Sequence, residues 1–144
     1  MNQNLNAARE DFQRARQQAV LAAILARLSG RSVDLMSFDD VRRQLRASEV
    51  TARGVHDIPI DAIVGTVNRT VDFTPDFLPR QPSDEERWAR VHFVSTDPGF
   101  VGMPPIEVYK IGDAYFVRDG HQRVSVARTL GQEHIQAYVT EVLT

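Results

Sequence analysis

The segment YFVRDGHQRVSVARTLG, residues 115–131, constrains this chain more than any other. Tyr115, Phe116 and Val117 make an apolar, strand-like run that ends at Asp119-Gly120. Val124, Ala127 and Leu130 then recur at helical spacing, and Gly131 follows as a stop. A strand, a glycine turn and a helix start leave backbone N–H groups unpaired at the positive end of the helix, which favours an anion there. His121, Gln122 and Arg123 stand where their side chains would add donors. The segment therefore points to a phosphate-bearing ligand.

The rest of the chain sets the frame for that unit. With 144 residues, 42% hydrophobic and 25% charged, the chain suits one domain, or a small domain with a helical appendage. No apolar run approaches a membrane span, and MNQNLNAARE lacks the basic and apolar regions of a signal peptide. A cytoplasmic protein with no membrane partner is the expectation. The absence of cysteine excludes disulfides, thiolate metal sites and cysteine catalysis. Residues 1–55 carry nine arginines and six acids, a formal +3, and residues 56–144 a formal −5. An acidic C-terminal part argues against a broad DNA-binding surface there.

Residues 4–29 read as an amphipathic helix, with Leu5, Ala8, Phe12, Ala15, Ala19, Leu21, Ile24, Leu25 and Leu28 at three- and four-residue steps and Gly30 as its stop. Ser37 caps a second helix running to about Leu45, with Val41 and Leu45 as its apolar stripe. The two are expected to form an antiparallel hairpin, followed by a polar linker over residues 46–57. This divides the chain into residues 1–55, helical hairpin and linker, and residues 56–144, an α/β domain. Within the latter, Ile58–Val64 reads as a strand and residues 68–82 as a long ordered loop of the kind that tends to be functional. Ser83 with Glu86 reads as a capping box for a helix through Val94. Residues 95–105 form a second loop. Ile106–Ile111 and Tyr115–Arg118 make a hairpin turning at Gly112-Asp113, and Ile135–Val142 is a last strand. The fold class is α/β (α+β), a compact mixed-sheet domain preceded by the helical hairpin.

The arrangement from 58 to 142 resembles the N-terminal domain of the ParB/sulfiredoxin superfamily. Arg69 and Phe73 resemble its early box, with one residue more between them than is usual. Residues 84–93 resemble its helix, and Met103-Pro104-Pro105-Ile106-Glu107-Val108 its turn and strand. Gly120, Arg123 and Ala127 match the signature box, here in a DGHxR version, and Gly131 its helix stop. The resemblance implies a nucleotide pocket: CTP in ParB proteins, ATP or ADP in sulfiredoxins and the related free-serine kinases. Sulfiredoxin catalysis needs a cysteine in the signature box, which this chain lacks. Gln122 stands where ParB proteins usually carry the first of two arginines.

On the residues themselves, Arg123 leads as a bidentate phosphate ligand, with a salt bridge to Asp119 or Glu133 as its alternative role. Gly120 permits a positive φ or a close ligand approach. His121 is a phosphate donor or an acid/base, or else a packed first-turn histidine. Asp119 is placed to hold Mg²⁺ through water or a substrate hydroxyl, or else to cap the helix. Arg69 and Arg80, in the long loop, would clamp a polyphosphate from the opposite side, or pair with Asp72, Asp76 or Asp84. Asp119, His121 and Glu85 are the candidate catalytic groups. Gly120, His121, Gln122, Arg123, Arg69 and Arg80 are the candidate nucleotide or phosphate ligands. His56, His92 and His134 show no metal-like spacing with His121. Arg9, Arg14, Arg16 and Arg27 read as a solvated helix face. The apolar stripe of the N-terminal helices is expected to pack on the α/β module or on a second copy, giving a homodimer. Three functions follow as expectations: a ParB-like regulatory domain that binds nucleotide or phosphate, a small phosphotransferase or phosphohydrolase, and a DNA-binding or nuclease protein.

Overall fold

The apolar alternation of residues 106–119 folds as read, into two strands joined by a tight turn with Gly112 at φ 58°. The computed structural model describes residues 2–143. In chain order the elements are α1 (Asn2–Leu28), β1 (Met36–Ser37), α2 (Phe38–Leu45), β2 (Glu49–Pro59), β3 (Ile63–Thr66), α3 (Glu85–Ser95), β4 (Ile106–Ile111), β5 (Ala114–Asp119), α4 (His121–Thr129) and β6 (His134–Leu143). They form a mixed α/β fold around one six-stranded sheet, ordered β1-β3-β5-β4-β6-β2. The β1–β3, β3–β5 and β4–β6 pairs are parallel, whereas β5–β4 and β6–β2 are antiparallel.

The pleat divides the strand side chains between two cores. Val108, Val117 and Val139 face one way and meet Val124 of α4 together with Phe73 and Phe77 of the 67–81 loop. Phe116 and Val142 face the other way and meet Phe38 of α2, which stacks on Tyr109 at 4.6 Å. A third cluster joins α1 to α3 and α4: Phe12 and Ala15 pack on Trp88 and Val126, with Phe12 edge-on to Trp88 at 5.7 Å. Trp88 Nε1 donates to Ser125 Oγ at 2.9 Å and fixes α3 against α4. Among the described residues no helix is long and apolar enough to cross a membrane.

Several local expectations change in the folded chain. The two N-terminal helices form, with Gly30 ending α1 at φ 71° and Ser37 accepting from the Asp40 N–H at 3.3 Å, but they do not pair as a hairpin. Phe38 draws α2 onto the sheet face opposite the one that carries α4, while α1 lies on α3 and α4. Leu45 is left half exposed, so Phe38 rather than Leu45 anchors α2. The stretch 46–57, read as a linker, is mostly strand: β2 pairs with β6 from Glu49 to Pro59, with a bulge between Ala52 and Gly54. The boundary drawn at 55/56 falls inside this strand. Its side chains are largely exposed, and only Ile58 is buried, so it carried no apolar alternation to read. β2 takes in Ile58 and ends at Pro59, a 3-10 turn spans Ile60–Ala62, and β3 begins only at Ile63. The Ser83/Glu86 capping box is not made. Pro82 opens a 3-10 turn, α3 starts at Glu85, and Glu86 pairs with Arg9 at 3.0 Å.

Candidate anion site

β5 ends at Asp119, and Gly120 turns the chain into α4 at φ 108°. Only glycine adopts that backbone readily, and a Cβ here would lie 2.4 Å from Ile106 Cγ2. The first hydrogen bond of α4 runs from the Val124 N–H to the Gly120 carbonyl at 3.1 Å. Among the described residues no acceptor reaches the N–H groups of His121, Gln122 or Arg123. No acid sits in the first turn, so nothing on α4 itself offsets its positive end.

This helix start opens into a cavity of about 380 Å³. Arg69, Arg87, Arg90 and Arg123 line it, and Asp119 is its one carboxylate. Arg87 and Arg90 lie three residues apart on α3 and form no ion pair among the described residues. Neither was picked out from the sequence. The signal was there, two cations at a spacing that shares a helix face, but their partner surface is set only by the packing of α3 on α4.

Arg123 is at the cavity but its fork is largely occupied. Its Nη1 donates to the carbonyls of Pro104 and of Pro105, the latter at 3.3 Å, and Nη2 pairs with Asp119 at 3.2 Å. It therefore ties the 96–105 loop to α4. Asp119 is exposed and does not cap the helix. Arg69 donates to Asp72 at 2.7 Å and to both oxygens of Asp84 at 3.0 and 3.2 Å, with its guanidinium 5.2 Å from the Phe73 ring centre. Four cations and one paired carboxylate do not suit a resident metal, and among the described residues no three His, Asp or Glu side chains are grouped to hold one.

His121 is buried and stacks on Phe73. Its Nε2 lies 2.6 Å from Thr66 Oγ1. That oxygen already accepts from the N–H groups of Asn68 and Arg69 at 3.3 and 3.2 Å. The hydroxyl in turn donates to the Val117 carbonyl at 3.4 Å. Burial pushes the His121 pKa from 6.5 down to about 4, and the Arg69 guanidinium adds to this against the weaker pull of Asp119 and Asp72. At neutral pH His121 is an uncharged N–H donor and a weak base. Both amide atoms of Gln122 are buried without a hydrogen-bond partner. Such a group is costly unless something from outside the chain completes it.

Two candidates lie elsewhere. Arg80 donates to Asp34 at 2.7 Å and to the Val33 carbonyl at 3.3 Å, fastening the α1–β1 connection to the long loop. Glu85 accepts from Gln13 of α1 at 3.2 Å, outside the residues that line the cavity. Buried His92 reaches Asp11 at 2.8 Å, and exposed His56 reaches the Arg53 carbonyl at 2.7 Å.

No protein-family model matches the sequence. No curated protein matches it. A solved structure, sulfiredoxin from Arabidopsis thaliana, is similar over 62% of this chain and 86% of that one, at 13% identity and a TM-score of 0.44.

Proposed function

We propose that this chain is a ParB-like regulatory module that binds an organic phosphate, a nucleotide being the leading case, at the start of α4. One observation carries the reading: three unpaired N–H groups open into a cavity where Arg87 and Arg90 lack counter-charges. A phosphate there would complete the amides, the two guanidiniums and the helix dipole together. The buried, unpartnered Gln122 amide adds an uncharged donor. A neighbouring cavity of about 350 Å³ shares Val91, Met103 and Arg123, and Phe100, Val101 and Ile135 give it an apolar wall. A base or other apolar group attached to the phosphate fits that second chamber. Mg²⁺ would enter as the counter-ion of a polyphosphate, with Asp119 as its only nearby carboxylate.

Binding suits the geometry better than turnover. Asp119 is tied to Arg123, Glu85 faces α1, and His121 is a weak base at neutral pH. Phosphoryl transfer would lack a free carboxylate at the phosphate. Isothermal titration against CTP, ATP, ADP, GTP and pyrophosphate, with and without Mg²⁺, tests the reading. Heat with at least one nucleotide, weakened by Arg87→Ala and Arg90→Ala, is the expected result. No heat with any of them defeats it.

A further inference from the structure

The outer face of α1 changes character halfway along. Ala8, Phe12, Ala15 and Ala19 form the buried stripe against α3 and α4. On the opposite side, about 180° around the helix, the first half presents Glu10, Gln13 and Gln17. From Val20 onward that same side is apolar: Val20, Leu21, Ile24, Leu25 and Leu28 are between 48% and 80% exposed. Together they leave about 500 Å² of apolar surface uncovered, at the upper end for the largest patch on a soluble monomer.

We infer that this face pairs with a second copy of itself, in antiparallel orientation about a twofold axis near Ile24. Burying the patch on both copies removes about 1,000 Å² from water, the size at which specific interfaces begin. A parallel pairing would set Arg27 against Arg27. The antiparallel one sets Arg27 against the uncharged Leu21 region, with Leu28 over Val20. No acid lies between Asp11 and Asp34, so nothing in the patch repels or attracts itself across the axis.

Sedimentation equilibrium of the full chain without nucleotide, over a series reaching hundreds of micromolar, is the test. The expected result is a monomer–dimer equilibrium in the micromolar range, abolished in Leu21→Glu/Leu28→Glu, whose far-UV circular dichroism should match the parent. Because the chain has no cysteine, Ile24→Cys should form a disulfide-linked dimer on oxidation. Gln17→Cys should not, since its two copies would lie about 21 Å apart. Equal linkage from both cysteines would overturn the antiparallel arrangement. A chain that stays monomeric throughout, or a Glu variant that still dimerises, would overturn the pairing itself. Binding of the monomer to phosphatidylglycerol vesicles would assign the face to a lipid surface instead.

Discussion

The starts of α2 and α4 face the same physical problem and resolve it differently. At α2 the chain satisfies itself: Ser37 accepts from the Asp40 N–H, and Asp39 and Asp40 place negative charge in the first turn. At α4 there is no cap, no acid, and a wall of arginines. A helix that only needs to fold carries its own counter-charges. A start that omits them and gathers cations instead accumulates a positive field that an outside anion would complete.

The sharpest way to break this contrast is Gly120→Ala. The positive φ and the Ile106 clash together should cost about 4 kcal/mol, read as a drop in the urea midpoint, whereas a similar change in the first turn of α2 should be mild. Acid should separate the two starts next. His121 has a folded pKa of about 4 against 6.5 unfolded, so its contribution is fully present above pH 6.5 and is lost as pH falls toward 4. The loss should reach about 3 kcal/mol, and His121→Gln should flatten that part of the stability–pH profile. Replacing Arg87 and Arg90 together by alanine should weaken nucleotide binding by about a hundredfold, or about 3 kcal/mol of affinity, with little change in the urea midpoint. Ser37→Ala should do the reverse on a smaller scale, lowering stability by about 1 kcal/mol with binding unchanged.

What could be read ahead of the structure follows the range of the interactions involved. The β4–β5 hairpin, α4 with its Gly131 stop, and the Ser37 cap are set by residues within a few positions of one another, and they appear where the sequence places them. β2 was missed because it is an edge strand whose partner, β6, lies some eighty residues away and whose faces are both mostly wet. The α1–α2 hairpin failed because short-range periodicity says which face is apolar but not which surface it meets. The site divides the same way. Gly120, His121, Gln122 and Arg123 were legible as one turn, and Arg69 joined them through its resemblance to a family box. Arg87 and Arg90 come to that turn only because Trp88 and Ser125 lock α3 beside α4. Arg80, in the same loop but without that box match, is held at the other end by Asp34.

The crowding between Gly120 and the branch of Ile106 has an evolutionary corollary. Two sites fourteen residues apart share one small volume, but the constraint runs one way. In lineages descended from a common ancestor with this chain, 106 should wander among smaller branched or linear side chains while 120 stays glycine, because its φ would strain any replacement even with the space cleared.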